Sequence, residues 1–140
     1  MCNGQEISVC DVATVGEAVV CACSPHRAEA IAPALRGMAA LMPRARSVRL
    51  LGSGVLNFAW VACGRLAAYW EPELAPWDSI AGTLLVQEAG GMATDAHDGS
   101  LYTLQTRSVL ASNGPIHHEL LELLRDAKAG RCDDDAESIS

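Results

Sequence analysis

Apolar positions along this chain switch between two periods. EAVVCAC (17–23), SVRLL (47–51), LAAYWE (66–71), MATD (92–95) and SVLAS (108–112) are short apolar or β-branched runs, which predicts strands. Between them apolar residues recur every three or four positions, as on one face of a helix. Ala28, Ile31, Leu35, Met38 and Leu41 predict a first helix, with Ser24 as its N-cap and Pro25 in its first turn. Pro33 falls inside that run and predicts a kink or a late start. VLNFAWVAC follows Gly52-Ser53-Gly54 as a second helix, closed by Gly64. A third helix is expected from Ser79 to about Ala89, capped by Asp78 and ended by Gly90-Gly91. PIHHELLELLRDAK is the fourth, with Ile116, Leu120, Leu123, Leu124 and Ala127 on one stripe.

Strands alternating with helices imply a layered α/β fold with a mixed, partly parallel sheet. No repeat or linker divides the chain. Residues 1–128 read as one folded unit and 129–140 as an acidic, disordered tail. The beginning is unusual. Asn3-Gly4 is a strong hairpin signal and QEISVC after it reads as a strand, yet only Met1 and Cys2 precede the turn. The expectation is that the partner strand lies outside this sequence, leaving an exposed sheet edge that invites association.

Composition narrows the function. Of 140 residues, 10 are basic and 17 acidic, a net charge of −7. That opposes nucleic acid and anionic membranes as partners. Handling a phosphate ester would require a cation to reverse the local sign. The six cysteines form no C-x-x-C pair and no zinc spacing with histidine; they read as small buried residues of a reducing compartment. Met1 is followed by polar residues, and no apolar run approaches the ~20 residues of a membrane span. The expected location is cytoplasmic, with an organelle left open.

Few residues offer chemistry. Asp78 follows Pro76 and Trp77, a proline that stiffens the loop and an indole expected to anchor it in the core. It is either a helix cap or a carboxylate that holds a hard cation; magnesium commonly takes one or two protein carboxylates, with waters and phosphate oxygens completing its shell. Glu71 ends a strand, where it either accepts a ligand hydroxyl or is solvated; Glu73 in the same loop reads as solvated. Gly52-Ser53-Gly54 joins a strand to a helix N-terminus, either a tight turn or a set of N–H groups offered to an anion or a polyol. It fits no P-loop or dinucleotide fingerprint. His117 and His118 are adjacent and read as surface or partly buried residues; Asp95, His97 and Asp98 read as a turn.

PWDSIAGTLLVQEAGG (76–91), LGSGVLNFAWVACGRLAAYWE (51–71) and SVLASNGPIHHELLELL together resemble the inositol monophosphatase family, in its C-terminal half. The resemblance implies a layered αβαβα sandwich and a Mg²⁺-dependent, lithium-sensitive phosphatase of small phosphate monoesters, often a homodimer. By resemblance, Asp78 looks like a metal-ligand aspartate, Glu71 like the carboxylate for a substrate hydroxyl, and Gly52, Ser53 and Gly54 like contacts to the polyol. Gly54 departs from the usual alanine. The family's D-P-[IL]-D-G-T motif and its upstream metal-binding glutamate do not occur here. A clamp of two cations ~3.5–4 Å apart needs several converging carboxylates. The chain is therefore expected to be a truncated phosphatase of inositol monophosphate or a related sugar phosphate, inactive alone. The alternative is a non-catalytic fragment serving as a dimerisation or polyol-binding module.

Overall fold

The structure is a computed structural model that describes residues 1–23 and 25–130. Five strands, β1 (Val19–Ala22), β2 (Ser47–Leu50), β3 (Ala68–Glu71), β4 (Met92–Asp95) and β5 (Val109–Ser112), form one mixed sheet in the order β2-β1-β3-β5-β4. β1 pairs in parallel with β2 and β3; β5 runs antiparallel to both β3 and β4. The four helices are α1 (Ala28–Leu41), α2 (Gly54–Ala62), α3 (Pro76–Glu88) and α4 (His117–Ala129). The α/β expectation holds.

Alternation along the strands builds two cores. On one face Val20, Ala22, Ala68, Trp70 and Leu110 pack beneath α1 and α4, against Leu41, Leu120 and Leu124. On the other, Cys21, Tyr69, Val109 and Ala111 pack beneath α2 and α3, against Phe58, Val61 and Val86. Phe58 and Tyr69 meet edge to face, centroids 5.0 Å apart at 88°, an arrangement that adds about 0.5–1.5 kcal/mol to their burial. Cys21 and Cys23 are buried free thiols, and Cys21 belongs to the second of these cores.

Several local expectations need correction. α1 starts at Ala28 with Arg27 at the N-cap position, three residues after Pro25; Ser24 lies outside the described residues. The stripe drawn through α1 is rotated: Ala30, Ala34, Gly37 and Leu41 are buried, whereas Ile31 and Leu35 are 46% and 58% exposed. Small residues face the sheet because the Trp70 ring fills the space; a Cβ on Gly37 would lie 2.1 Å from it. Asn3 and Gly4 do form a two-residue hairpin, with φ of 51° and 78° and a bridge between Cys2 and Gln5. Residues 6–10 join no ladder. Val9 N–H donates to the Ala89 carbonyl, and Asn113 Nδ2 donates to the carbonyls of Cys10 and Val12. The acidic tail from residue 131 lies outside the described residues.

His117, read from the sequence as a surface or partly buried residue, is fully buried at 3% exposure. Its ring bridges Thr94 Oγ1 at 2.8 Å and Ser112 Oγ at 2.7 Å, tying α4 to β4 and β5. Burial, then the neighbouring His118, lowers its pKa from 6.5 to about 4. A neutral ring is favoured in the fold, so its stabilisation is complete above pH 6.5 and is lost as pH falls toward 4. Urea unfolding should show a loss on the order of 3 kcal/mol over that interval. His117→Gln should remove that part of the slope; equal slopes in both proteins would contradict the assignment.

Candidate functional site

The parallel strands β1, β2 and β3 end at one edge of the sheet, and their loops open a cleft of about 510 Å³ there. Carboxyl ends of parallel strands are where α/β sheets take ligands, because the following helices start there with unpaired N–H groups. The cleft is lined by Gly52, Ser53, Gly54, Glu71 and Asp78, so residues far apart in sequence converge on one cavity.

Gly52 has φ +83°, and nothing lies within 4 Å of where its Cβ would be, so the turn leaves open space beside the backbone. Ser53 is the N-cap of α2, and its hydroxyl accepts from Leu56 N–H at 3.4 Å. Asp78 is not the cap expected of it. α3 begins at Pro76 after Ala75, which places Asp78 in the first turn, exposed. Starting the helix at the proline uses the one residue that has no N–H to leave unpaired. Trp77 is likewise not an anchor: it is 79% exposed, on the outer side of the same turn. Glu73 is more than a solvated loop residue, since it accepts from Arg27 Nη1 at 2.8 Å and lines the cleft.

Glu71 and Tyr69 share a face of β3, two residues apart, and the Tyr69 hydroxyl donates to the Glu71 carboxylate. Burial raises the Glu71 pKa, and the nearby Asp78 charge adds to that; hydrogen bonds from Tyr69 and Cys23 and the His26 charge oppose it. Burial, followed by the charge of Glu71, pushes both the Tyr69 phenol and the Cys23 thiol up, so both stay protonated as donors. Sequence reasoning passed over this support. The spacing of Tyr69 and Glu71 was the available signal. Asn57 was passed over too: one turn after Ser53, it is buried at the cleft wall, and its Oδ1 has no partner. Asp95 and Asp98 accept from His97 N–H and Ser100 N–H, which makes that segment a turn.

Asp78 gives the cleft an exposed hard oxygen donor, and its field reaches Glu71. That donor set fits one side of a magnesium shell, for which one or two protein carboxylates suffice. Among the described residues no three His, Cys, Asp or Glu converge to hold an ion. A two-cation clamp therefore exceeds what these residues alone supply.

Helices on both faces of a mixed sheet, with a polar cleft where parallel strands end, define a layered α/β protein with a candidate ligand site. The chain belongs to the inositol monophosphatase family, whose sequence model matches residues 1–129. It is 45% identical over 80 residues to an inositol-1-monophosphatase of Caulobacter vibrioides, covering 57% of this chain and 31% of that one. It is 37% identical over 128 residues to the chloroplastic phosphatase IMPL1 of Arabidopsis thaliana, covering 91% and 34%. The solved IMPase of Thermotoga maritima superposes with a TM-score of 0.84 at 31% identity, over 93% of this chain and 49% of that one. An inositol monophosphatase from Anabaena gives 0.81 at 32% identity, over 87% and 48%. The chain spans about a third to a half of the length of these relatives. No helix among the described residues is long and apolar enough to cross a membrane.

Tyr69→Phe removes a donor that holds the Glu71 pKa down. Its carboxyl carbon, followed by NMR, should titrate at higher pH in the variant. An unchanged titration would remove Tyr69 from the support of Glu71.

Proposed function

We propose that this chain supplies the polyol-binding wall and one cation-binding carboxylate of a Mg²⁺-dependent phosphatase for inositol monophosphate or a related small phosphate monoester. The observation that carries this reading is the convergence of Gly52, Ser53, Gly54, Glu71 and Asp78 on a single cleft. Family membership supports it. Asp78 would hold the cation with an exposed carboxylate. Bound magnesium would neutralise phosphate charge and ease deprotonation of an attacking water. Glu71, fixed by Tyr69, accepts a hydroxyl of the polyol. Ser53 and the amide of Gly54 hold its neighbours. A second cation would need carboxylates that the described residues do not bring together, so turnover would depend on ligands supplied from elsewhere. Phosphate release from inositol 1-phosphate should require both Mg²⁺ and a chain extended to the relatives' full length. In that enzyme Asp78→Asn should lower turnover by about 10²-fold or more, the scale on which loss of a transition-state contact acts. Retained turnover would leave Asp78 a solvated helix-end carboxylate.

A second reading, association without catalysis, is favoured by a different observation. Trp77, Ile80 and Leu84 recur at helical spacing on α3 and are 79%, 47% and 58% exposed. Contiguous apolar surface of this kind marks a contact face. This face would serve the homodimer that the resemblance implies, as an alternative to the association expected through an exposed sheet edge. Sedimentation at about 50 μM should show a dimer or larger species, reduced by Ile80→Glu with Leu84→Glu; a well-folded monomer of the unmodified chain would contradict this.

A further inference from the structure

Trp70 alternates with Tyr69 and Glu71 and so faces the opposite side of the sheet, where a second cleft of about 420 Å³ opens between α1 and α4. Trp70, Pro72 and Leu124 line it, and Arg27, Arg36, Arg107 and Lys128 surround them. These are four of the ten basic residues in a chain of net charge −7. The two carboxylates in the lining, Glu29 and Glu73, both pair with Arg27, at 3.7 and 2.8 Å. Neither pairs with Arg36, Arg107 or Lys128. Arg107 is held in place by its Nη1, which donates to the carbonyls of Leu104 and Thr106 and leaves the rest of the guanidinium to serve a ligand. Burial, then the charge of Lys128, lowers the pKa of His97 in the same lining and keeps its ring neutral.

Arg36, Arg107 and Lys128 have no ion pair with a carboxylate among the described residues, and such cations beside an apolar wall with an indole in it suit a small organic anion. Guanidinium groups take the charged end in forked hydrogen bonds, and the wall takes a flat apolar end. We propose that this second cleft binds a small anion with a flat apolar group, an aryl phosphonate, phosphate or carboxylate, and that the anion displaces Glu73 from Arg27. Binding here does not depend on the phosphatase reading, because only Arg27 and Glu73 line both clefts.

The probe is phenylphosphonate, titrated into the 140-residue chain carrying Trp60→Phe and Trp77→Phe, so that Trp70 is the only tryptophan and is excited selectively at the red edge, beyond the absorption of Tyr69 and Tyr102. A saturable change in Trp70 emission is expected, with benzyl alcohol giving none at equal concentration. Arg36→Glu with Arg107→Glu should weaken binding at least about tenfold, since both charge-assisted contacts become repulsions. Arg36→Gln, a milder change on an exposed side chain, should weaken it by a smaller factor in the same direction. Glu73→Gln should tighten it about two- to fivefold by freeing Arg27 from an exposed pair. Asp78→Asn should leave it unchanged. Equal affinity in the arginine variants, or loss of the signal in Asp78→Asn, would overturn the proposal.

Discussion

Strand β3 is buried on both faces and parallel to one neighbour but antiparallel to the other, and the rest of the molecule is arranged around that constraint. Four residues must satisfy two cores at once. Tyr69 reaches Phe58 beneath α2, while Trp70 fills the gap that Gly37 leaves in α1. Glu71 then emerges at the strand's end, still half-buried, with the Tyr69 hydroxyl already in place to support it. A shift of one residue in the register would exchange the two faces, moving Trp70 to the α2–α3 side and Glu71 away from Gly54. The position of the candidate site is thus a consequence of packing.

The clefts on the two sides of this strand differ in sign. One gathers Glu71, Glu73 and Asp78; the other gathers four cations. The Arg27–Glu73 pair lies where they adjoin. Exposed pairs of this kind contribute only about 0–1 kcal/mol. Its value to the molecule is therefore positional: it ties the loop after β3 to the start of α1 at little cost if the tie is broken.

Much of this was legible in the sequence. Strands and helices alternate in the residues themselves, and that alternation obliges the loops after parallel strands to meet at one edge, bringing residues 52–54, 71 and 78 together. What stayed hidden depends on partners distant in the chain. The stripe of α1 was drawn through its large residues, although the face toward the sheet had to be small to admit Trp70. The burial of His117 required knowing that Thr94 and Ser112 would flank it. Asp78 met the rule for a helix cap, but the proline two residues earlier had already started the helix. Its carboxylate was thereby left exposed at the cleft, the position in which a cation can reach it.

The direct test of the central claim is backbone amide NMR of the 140-residue chain, titrated with Mg²⁺ and then with inositol 1-phosphate. The account predicts shifts that cluster at residues 52–54, 71 and 78, with the Mg²⁺ shift at residue 78 lost in Asp78→Asn. Shifts scattered over the surface carboxylates, with residues 52–54 and 71 unmoved, would contradict it.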